Sequence, residues 1–420
     1  MTKLIDIIDK FYSGDWGELN ATPNSSLPVK CVRGADFDNL SIEFLDEIPV
    51  RFINEKNNSI LPENSIIIEK SGGSPTQSTG RIVFVSSNIK KKCENIVCSN
   101  FCTAFTVKKE WDPFFVYEYL QLIYYRGVFF NFESKTSGLK NLQLDEAFKK
   151  IPVPNISLPE QRRISKILWD IRDKQINNYS IINMLEKMET SIYEEWFLRF
   201  NFEYEENKKY KDNNGLFIYS DELKYNIPVN WDVKRISDVI NTNLGGTPNT
   251  SEKNYWNGDI PWISSGELDS NIITDSIKKI TAEGVENSST YFADEGSVLI
   301  SLVRYLRVSI LGIPACFNQS VVSLSENDIF KKEYIYPFLK KMLPKFMALR
   351  TGNQQPHINK DIVDKAYILC PPKEILDKYY GITKKYYELH INLHKEIVLL
   401  NQIKKYILPI LMNSQLQIED

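Results

Sequence analysis

The chain has 420 residues, 42% of them apolar and 25% charged, with a formal net charge of −3. That length allows two or three domains with cores of their own, and the composition is that of a globular protein, not a disordered or fibrous one. The slightly acidic balance counts against a protein that coats nucleic acid by charge alone, while leaving room for one that reads it through a local basic face.

Residues 1 to about 157 read as mixed α/β. Leu4 to Phe11 is expected to form a short helix, and Ser13-Gly14-Asp15 a turn. Val29 to Arg33 alternates like a strand that ends at Gly34, and Ser65 to Ile68 is a β-branched run of the kind found in buried strands. Glu69 to Arg81 is polar and glycine-rich, with cations at Lys70 and Arg81. It reads either as a plain connection or as a loop presenting backbone N–H groups, hydroxyls and cations to a polyanion. It is not a P-loop, because no GxxxxGK[ST] is present. Ile82 to Val85 returns as a strand. Pro113 to Tyr125 is expected to be an aromatic-rich helix, and Ser134 to Asn141 a second polar loop with cations.

From Leu158 the pattern changes. Pro159 sits at a helix start, and neither proline nor glycine follows until Gly215. The apolar steps Ile181, Leu185, Met188 and Ile192 predict a narrow seam against a partner helix. Roughly 40 helical residues make a rod of about 60 Å, far longer than a typical globular helix. Glu203 to Gly215 is a charged connector, and residues 216–370 form a second globular unit. Pro371 and Pro372 then open another long run, with a stripe through Leu389, Leu393, Ile397, Leu400, Ile403, Ile407 and Ile410. The expected order is therefore domain 1–157, long helix 158–202, connector 203–215, domain 216–370 and long helix 371–414.

This order is an internal duplication. Glu160 and Glu374 open the two helices 214 positions apart (374 − 160). Gly34 matches Gly266 and Ser65 matches Ser297 at 232 (266 − 34; 297 − 65), Asn100 matches Asn318 at 218 (318 − 100), and Gly138 matches Gly352 at 214 (352 − 138). The second half carries Gly245-Gly246-Thr247-Pro248, Trp256-Asn257-Gly258-Asp259-Ile260-Pro261-Trp262-Ile263, Gly296-Ser297-Val298-Leu299-Ile300, Asn318-Gln319-Ser320 and Asn359-Lys360-Asp361-Ile362. In series, over essentially the whole chain, these resemble the DNA-specificity subunit of type I restriction–modification systems. The resemblance implies two tandem target-recognition domains of mixed α/β fold, alternating with two long helices that pair as an antiparallel coiled coil. Each domain would read one half of a bipartite DNA site. The helices would set the spacing and dock modification (methyltransferase) subunits, two of them, with restriction subunits as further partners. The first unit departs from the pattern, with Ser13-Gly14-Asp15-Trp16 and Val32-Arg33-Gly34-Ala35-Asp36 in place of the Gly-Gly-Thr-Pro and Trp-x-Gly-Asp-Ile-Pro-Trp forms.

No constellation for catalysis stands out. Asp112-Pro113-Phe114-Phe115 lacks the second proline of an aminomethyltransferase pocket and reads as a helix start. Glu206-Asn207-Lys208 and Glu222-Leu223-Lys224 lack the upstream acid of a metal nuclease. The six cysteines form no CxxC pair, so neither zinc nor a disulfide framework is expected, and a reducing cytoplasm is the default. His390 and His394 lie one turn apart without a third ligand and read as packed or solvated side chains. No membrane span or signal peptide is expected, and no cofactor.

For DNA contact the cations are Arg33, Lys70, Arg81, Arg304 and Arg307, suited to phosphate or to guanine O6/N7, while Gln77, Asn249, Gln354 and Gln355 suit adenine N6/N7. Asp36, Ser71, Gly73, Thr76, Lys135, Lys140, Thr247, Ser251, Lys253, Ser265, Glu267, Tyr305 and His357 complete the set. Each has an alternative as ordinary surface solvation. A rod of about 60 Å less its overlaps would span one to one and a half DNA turns of roughly 34 Å. The competing readings are a protein-binding scaffold without DNA contact, and a specificity subunit of a related type II system.

Overall fold

As Pro159 and the breaker-free run after it predict, one unbroken helix forms, Leu158–Phe197, ending five residues before the expected 202 (202 − 197). A second helix of 40 residues, Lys373–Met412, begins directly after Pro371 and Pro372, whose fixed φ suits a helix entry. The computed structural model describes residues 2–413 apart from 58, 73–76, 137–138, 206–207, 212–214 and 353–355. The chain divides into two compact units, Met1–Asn177 with Leu400–Asp420, and Asn178–Leu399. Each long helix therefore gives part of its length to each unit.

In the first unit the run Ile66–Glu69 lies inside an antiparallel sheet ordered Ile8–Ser13, Cys102–Val107, Ile66–Glu69, Ile82–Phe84. Ile66 and Ile68 enter one core with Phe84, Phe105 and Phe115, while Ile67 enters another with Val32, Val83 and Ala104. That is the period-two alternation of a strand covered on both faces. A second sheet sets Leu27–Val32 antiparallel to Val50–Ile53 and parallel to Ile96–Cys98. The helix Pro113–Tyr125 forms as expected, its N-terminus capped by Asp112, which accepts from Phe115 N at 2.9 Å. Two local expectations fail. The N-terminal helix stops at Ile7, because Ile8–Ser13 pairs with Cys102–Val107 and ladder bonds to a buried neighbour outweigh local propensity. The polar loop over Ser134 to Asn141 is a hairpin, Glu133–Thr136 with Leu139–Leu142. Its pairing is set by main-chain bonds, to which apolar periodicity is blind.

The second unit repeats the plan. Its larger sheet runs Thr242–Leu244, Val321–Leu324, Val298–Ser301, Val308–Leu311, Ile272–Ile273, and Trp256–Ile263 pairs parallel with Ala315–Phe317. Val298 and Ile300 face one core and Leu299 another, as in the first unit. Two equivalences shift by one residue. The capping turns align Arg33–Asp36 with Ser264–Glu267, an offset of 231 (264 − 33; 267 − 36), so Gly34 matches Ser265 and not Gly266. The turn bonds Cys102 N to Ser99 O and Val321 N to Asn318 O align Ser99, not Asn100, with Asn318. The charged connector is also more than a tether. Phe202 and Tyr210 bracket its hairpin and stack at 5.0 Å, and Phe202 stacks on Trp231 at 5.2 Å.

The long helices run antiparallel within each unit. In the first, Gln175 Nε2 donates to Asn401 Oδ1 at 2.8 Å, and Ile164 and Leu168 share a core with Leu408 and Leu411. In the second, Ile182 and Leu185 pack with Leu393 and Ile397, and Asn178 Nδ2 donates to Glu396 Oε2 at 2.8 Å. The seam differs from the expected stripe. Ile181 and Met188 are 39% and 42% exposed, and Leu389 and Ile403 are exposed too. The buried line is Asn178, Ile182, Leu185, Glu189, Tyr193 and Trp196 on one helix, and Tyr379, Thr383, Tyr387, His390, Leu393 and Ile397 on the other. Polar and aromatic members hold the inner positions, so a count of aliphatic residues lands on the neighbouring face. No described helix is long and apolar enough to cross a membrane.

Candidate nucleic-acid interface

The strand Ile66–Glu69 leaves its sheet into residues 70–81, and the chain returns as Ile82–Phe84. In the second unit Val298–Ser301 leaves and Val308–Leu311 returns. The glycine-rich loop and the loop bearing Arg304 to Arg307 are thus one hairpin tip in two lengths. A second hairpin lies beside each tip. In the first unit Leu142 N donates to Lys70 O at 2.7 Å, and in the second Ile358 N donates to Leu302 O at 2.9 Å. These are the same bond in the repeat, since Lys70 and Leu302 stand 232 apart (302 − 70), as Ser65 and Ser297 do.

In the first unit the foot of the tip is closed by a charged fork. Arg81 Nε and Nη2 donate to the two oxygens of Glu69 at 2.9 and 2.8 Å, and this hydrogen bonding holds the Arg81 guanidinium above its ordinary pKa. Gly34 is pressed against the fork. A Cβ there would lie 2.5 Å from Glu69 Oε1 and 2.7 Å from Arg81 Nη2. Gly80 has φ of +91°, and its Cβ would meet the Phe129 ring at 2.9 Å, so both conformation and space demand glycine. Higher on the tip, Ser71 Oγ donates to Asn141 Oδ1 at 2.5 Å, Thr79 N donates to Glu133 Oε1 at 2.6 Å, and Lys140 Nζ donates to the Gln77 carbonyl at 3.1 Å. Lys70 is half-buried at the base and Gln77 exposed. Arg33 makes its own fork with Asp36, at 2.8 and 2.7 Å. The Asp36 carboxylate is buried and also accepts from Arg33 N, so it caps a turn. The structure therefore brings Lys70, Ser71, Gln77, Arg81 and Lys140 together, with the Arg33–Asp36 turn alongside. Gly73 and Thr76 lie outside the described residues, and so does the side chain of Lys135.

In the second unit Arg304, Tyr305 and Arg307 are exposed on the tip, and His357 is exposed on the neighbouring hairpin, where its backbone exchanges bonds with Thr351 at 2.9 Å. Ser301 takes the place of Glu69, so the foot is closed without a charge: Ser301 Oγ accepts from Arg307 N at 2.8 Å. Gln354 and Gln355 lie outside the described residues. The remaining candidates sit on other loops. Thr247 is tied to Gln319 through its hydroxyl, Asn249 accepts from Ser251 N at 3.1 Å, and Lys253 opens a short turn. Ser265 lies in the turn capped by Glu267, whose carboxylate accepts from Ser264 N at 2.8 Å and from Ile277 N at 2.7 Å. Asp36 and Glu267 thus do one structural job in both units. The sequence reading missed Glu69 as the partner of Arg81, though an acid and a cation flanking a hairpin loop could have signalled it. It also passed over Arg350, for which it offers no signal.

The chemistry elsewhere is structural. Burial pushes the thiols of Cys31, Cys316 and Cys370 up to about 11 and that of Cys102 to about 12, the reverse of what a nucleophile or metal ligand needs. His390 Nδ1 lies 3.2 Å from both oxygens of Glu189. Burial first, and His390 second, hold His394 down to about 3. Among the described residues no group of three His, Cys, Asp or Glu is placed to hold a metal ion.

Compared with known proteins, residues 22–187 and 228–405 match the family model described as the type I restriction modification DNA specificity domain. The chain is 25% identical over 278 residues to the MjaIX specificity subunit of Methanocaldococcus jannaschii, a match covering 65% of this chain and 62% of that protein. It is 25% identical over 250 residues to the EcoR124I/EcoR124II specificity subunit of Escherichia coli, 56% of either protein. In both cases the match spans less than two thirds of the relative's length. The crystal structure of a type I restriction–modification S subunit from M. genitalium shares the fold, with a TM-score of 0.54 at 13% identity over 100% of this chain and 96% of that one.

Proposed function

Since this chain belongs to the family of type I restriction modification DNA specificity domains, we propose that it is the DNA-reading subunit of such a complex, itself without catalysis. Each unit reads one half of a bipartite duplex site, in the cytoplasm. The observation that carries this reading is the recurrence, in both units, of a braced hairpin tip beside a second hairpin, with cations and amide or hydroxyl side chains on exposed turns. Arginine suits guanine O6/N7 and phosphate alike, and glutamine or asparagine suits adenine. Lys70, Gln77 and Lys140 are the first unit's contact candidates, with Arg304, Tyr305, Arg307 and His357 in the second. Arg33, Asp36, Arg81 and Glu267 hold the loops in shape. Gly73, Thr76, Lys135, Gln354 and Gln355 stay in the proposed set on their sequence positions, and Thr247, Asn249, Ser251, Lys253 and Ser265 form an outer group.

The long helices dock modification subunits, two per complex, with restriction subunits as further partners. An exposed apolar stripe on the first helix, Ile181, Met184 and Met188, supports this. Its three- and four-residue steps put it on one helical face, as a partner helix requires. The test is selection from a pool of random-sequence duplexes by this chain complexed with modification subunits from its own cell. The expected product is one split word with an unread spacer. Recovery of the input pool without enrichment would remove DNA reading and leave a scaffold.

A further inference from the structure

Arg350 follows the helix Lys332–Ala348, whose last carbonyls lack intrahelical partners. Its Nε donates to the Met347 carbonyl at 3.0 Å and its Nη1 to the Arg304 carbonyl at 2.9 Å. One planar cation thus ties a helix C-terminus, where the dipole is negative, to the summit of the second unit's tip. Arg304 itself has φ of 57°, a left-handed conformation that side chains avoid. It is pinned from both sides, because its N–H donates to the Pro356 carbonyl at 2.9 Å while its own carbonyl accepts from Arg350. At the foot, Ser301 Oγ accepts from Arg307 N and donates to the Tyr305 carbonyl at 3.2 Å. Strained residues of this kind persist only where the surroundings over-determine them, and they cluster at binding sites. Next in the chain stands Tyr305, 73% exposed, between two arginines.

We infer that Arg350 is a positioning residue for sequence discrimination by the second unit, acting through the backbone of Arg304. This rests on the reading of the tips as DNA readers. A cation on a loose tip still finds phosphates, which lie all along the duplex. Discriminating one base edge from another needs a side chain whose origin is fixed, so loss of the brace costs specificity before it costs affinity.

The test uses the full chain in its complex with modification subunits, carrying Arg350→Gln or Arg350→Lys, and selection from the random-duplex pool. With Arg350→Gln, one half of the selected word is expected to relax by about tenfold, the size of one good base contact. The other half stays intact, as does binding to the unselected pool. Arg350→Lys is expected to relax the same half, because an ammonium keeps the charge but cannot span two carbonyls as the fork does. Hydrogen exchange of the uncomplexed chain gives a readout without DNA: amides of residues 302–307 should exchange faster in both variants while the melting temperature holds. Unchanged exchange there overturns the inference, as does full discrimination in Arg350→Lys, which would make Arg350 a charge contact only. Relaxation of both halves together with a lowered melting temperature would mark it as merely structural and also overturns it. A wild-type complex that enriches no word removes the DNA-reading function itself, and the inference with it; a wild-type word that survives both variants removes the inference alone.

Discussion

Arg81 and Arg307 stand at matching places, each the last residue before its returning strand, yet they face different neighbours. Arg81 is forked to Glu69, whose side chain is 8% exposed, while Arg307 has Ser301 across from it. The same residue type is therefore a strut in one unit and a surface cation in the other. Glu69→Gln should destabilise the chain by about 3 kcal/mol, because it strands a half-buried guanidinium and leaves Gly34 packed against a broken fork. Arg307→Ala should change stability by no more than about 0.5 kcal/mol. Urea unfolding of both variants decides the matter, and equal losses would show that the two arginines share a role. The loop around Arg81 was legible in the sequence from its glycines and polar residues. The role of Arg81 was overlooked, because its partner is an acid twelve positions back (81 − 69) that comes into reach only once the two flanking strands are paired with each other.

For the long elements, helix existence and approximate length followed from spacing and from the absence of breakers, and antiparallel pairing from the family resemblance, while the inner face did not. A seam built from Glu189, Tyr193, Tyr387 and His390 carries too little aliphatic signal, and exposed Ile181 and Met188 mimic the missing stripe. The hairpins beside the tips were also illegible, since their register comes from neighbouring backbone. Leu185→Asp, which puts a charge among Ile182, Leu393 and Ile397, should cost at least about 3 kcal/mol. Met188→Asp, three residues on, should cost within about 1 kcal/mol. Denaturant midpoints would show it, and a large loss at Met188 would return the seam to the aliphatic stripe. The same seam has an acid sensitivity of fixed sign. His394 is held at about 3 against an ordinary 6.5, so the unfolded chain binds a proton that the folded chain refuses between those values. Stability is then present above pH 6.5 and lost as pH falls, by up to about 1.4 kcal/mol per pH unit. Glu189, raised by burial, acts in the opposite sense. Between pH 7 and pH 5, His394→Gln should lose about 2 kcal/mol less stability than the wild type. Parallel losses in the two proteins would mean that His394 accepts its proton while folded.

At the scale of the whole molecule, duplication joins a shared frame to different tips. Both units repeat the two-sheet plan, the capped turn and the bond from the second hairpin to the tip, while residues 70–80 and 302–306 differ in length, charge and bracing. Such an arrangement lets each tip change without altering the other's support, so if the tips read DNA as proposed, the two should be separable. In the reconstituted complex, Lys70→Ala with Lys140→Ala removes cations from the first tip and its neighbouring hairpin and leaves the Glu69–Arg81 fork in place. Arg304→Ala with Arg307→Ala does the same for the second unit. Loss of a guanine contact should cost about 1–3 kcal/mol and relax one position in one half of the selected word. Loss of a phosphate contact should instead weaken binding to every duplex alike and flatten its dependence on salt. Binding would be measured on the wild-type word and on duplexes with each half scrambled in turn, over a range of salt. If the first pair of substitutions alters preference in both halves equally, separability fails although DNA binding survives. If scrambling either half leaves wild-type affinity unchanged, the tips do not read sequence, and the exposed apolar stripe on the first long helix becomes the better guide to what the protein binds.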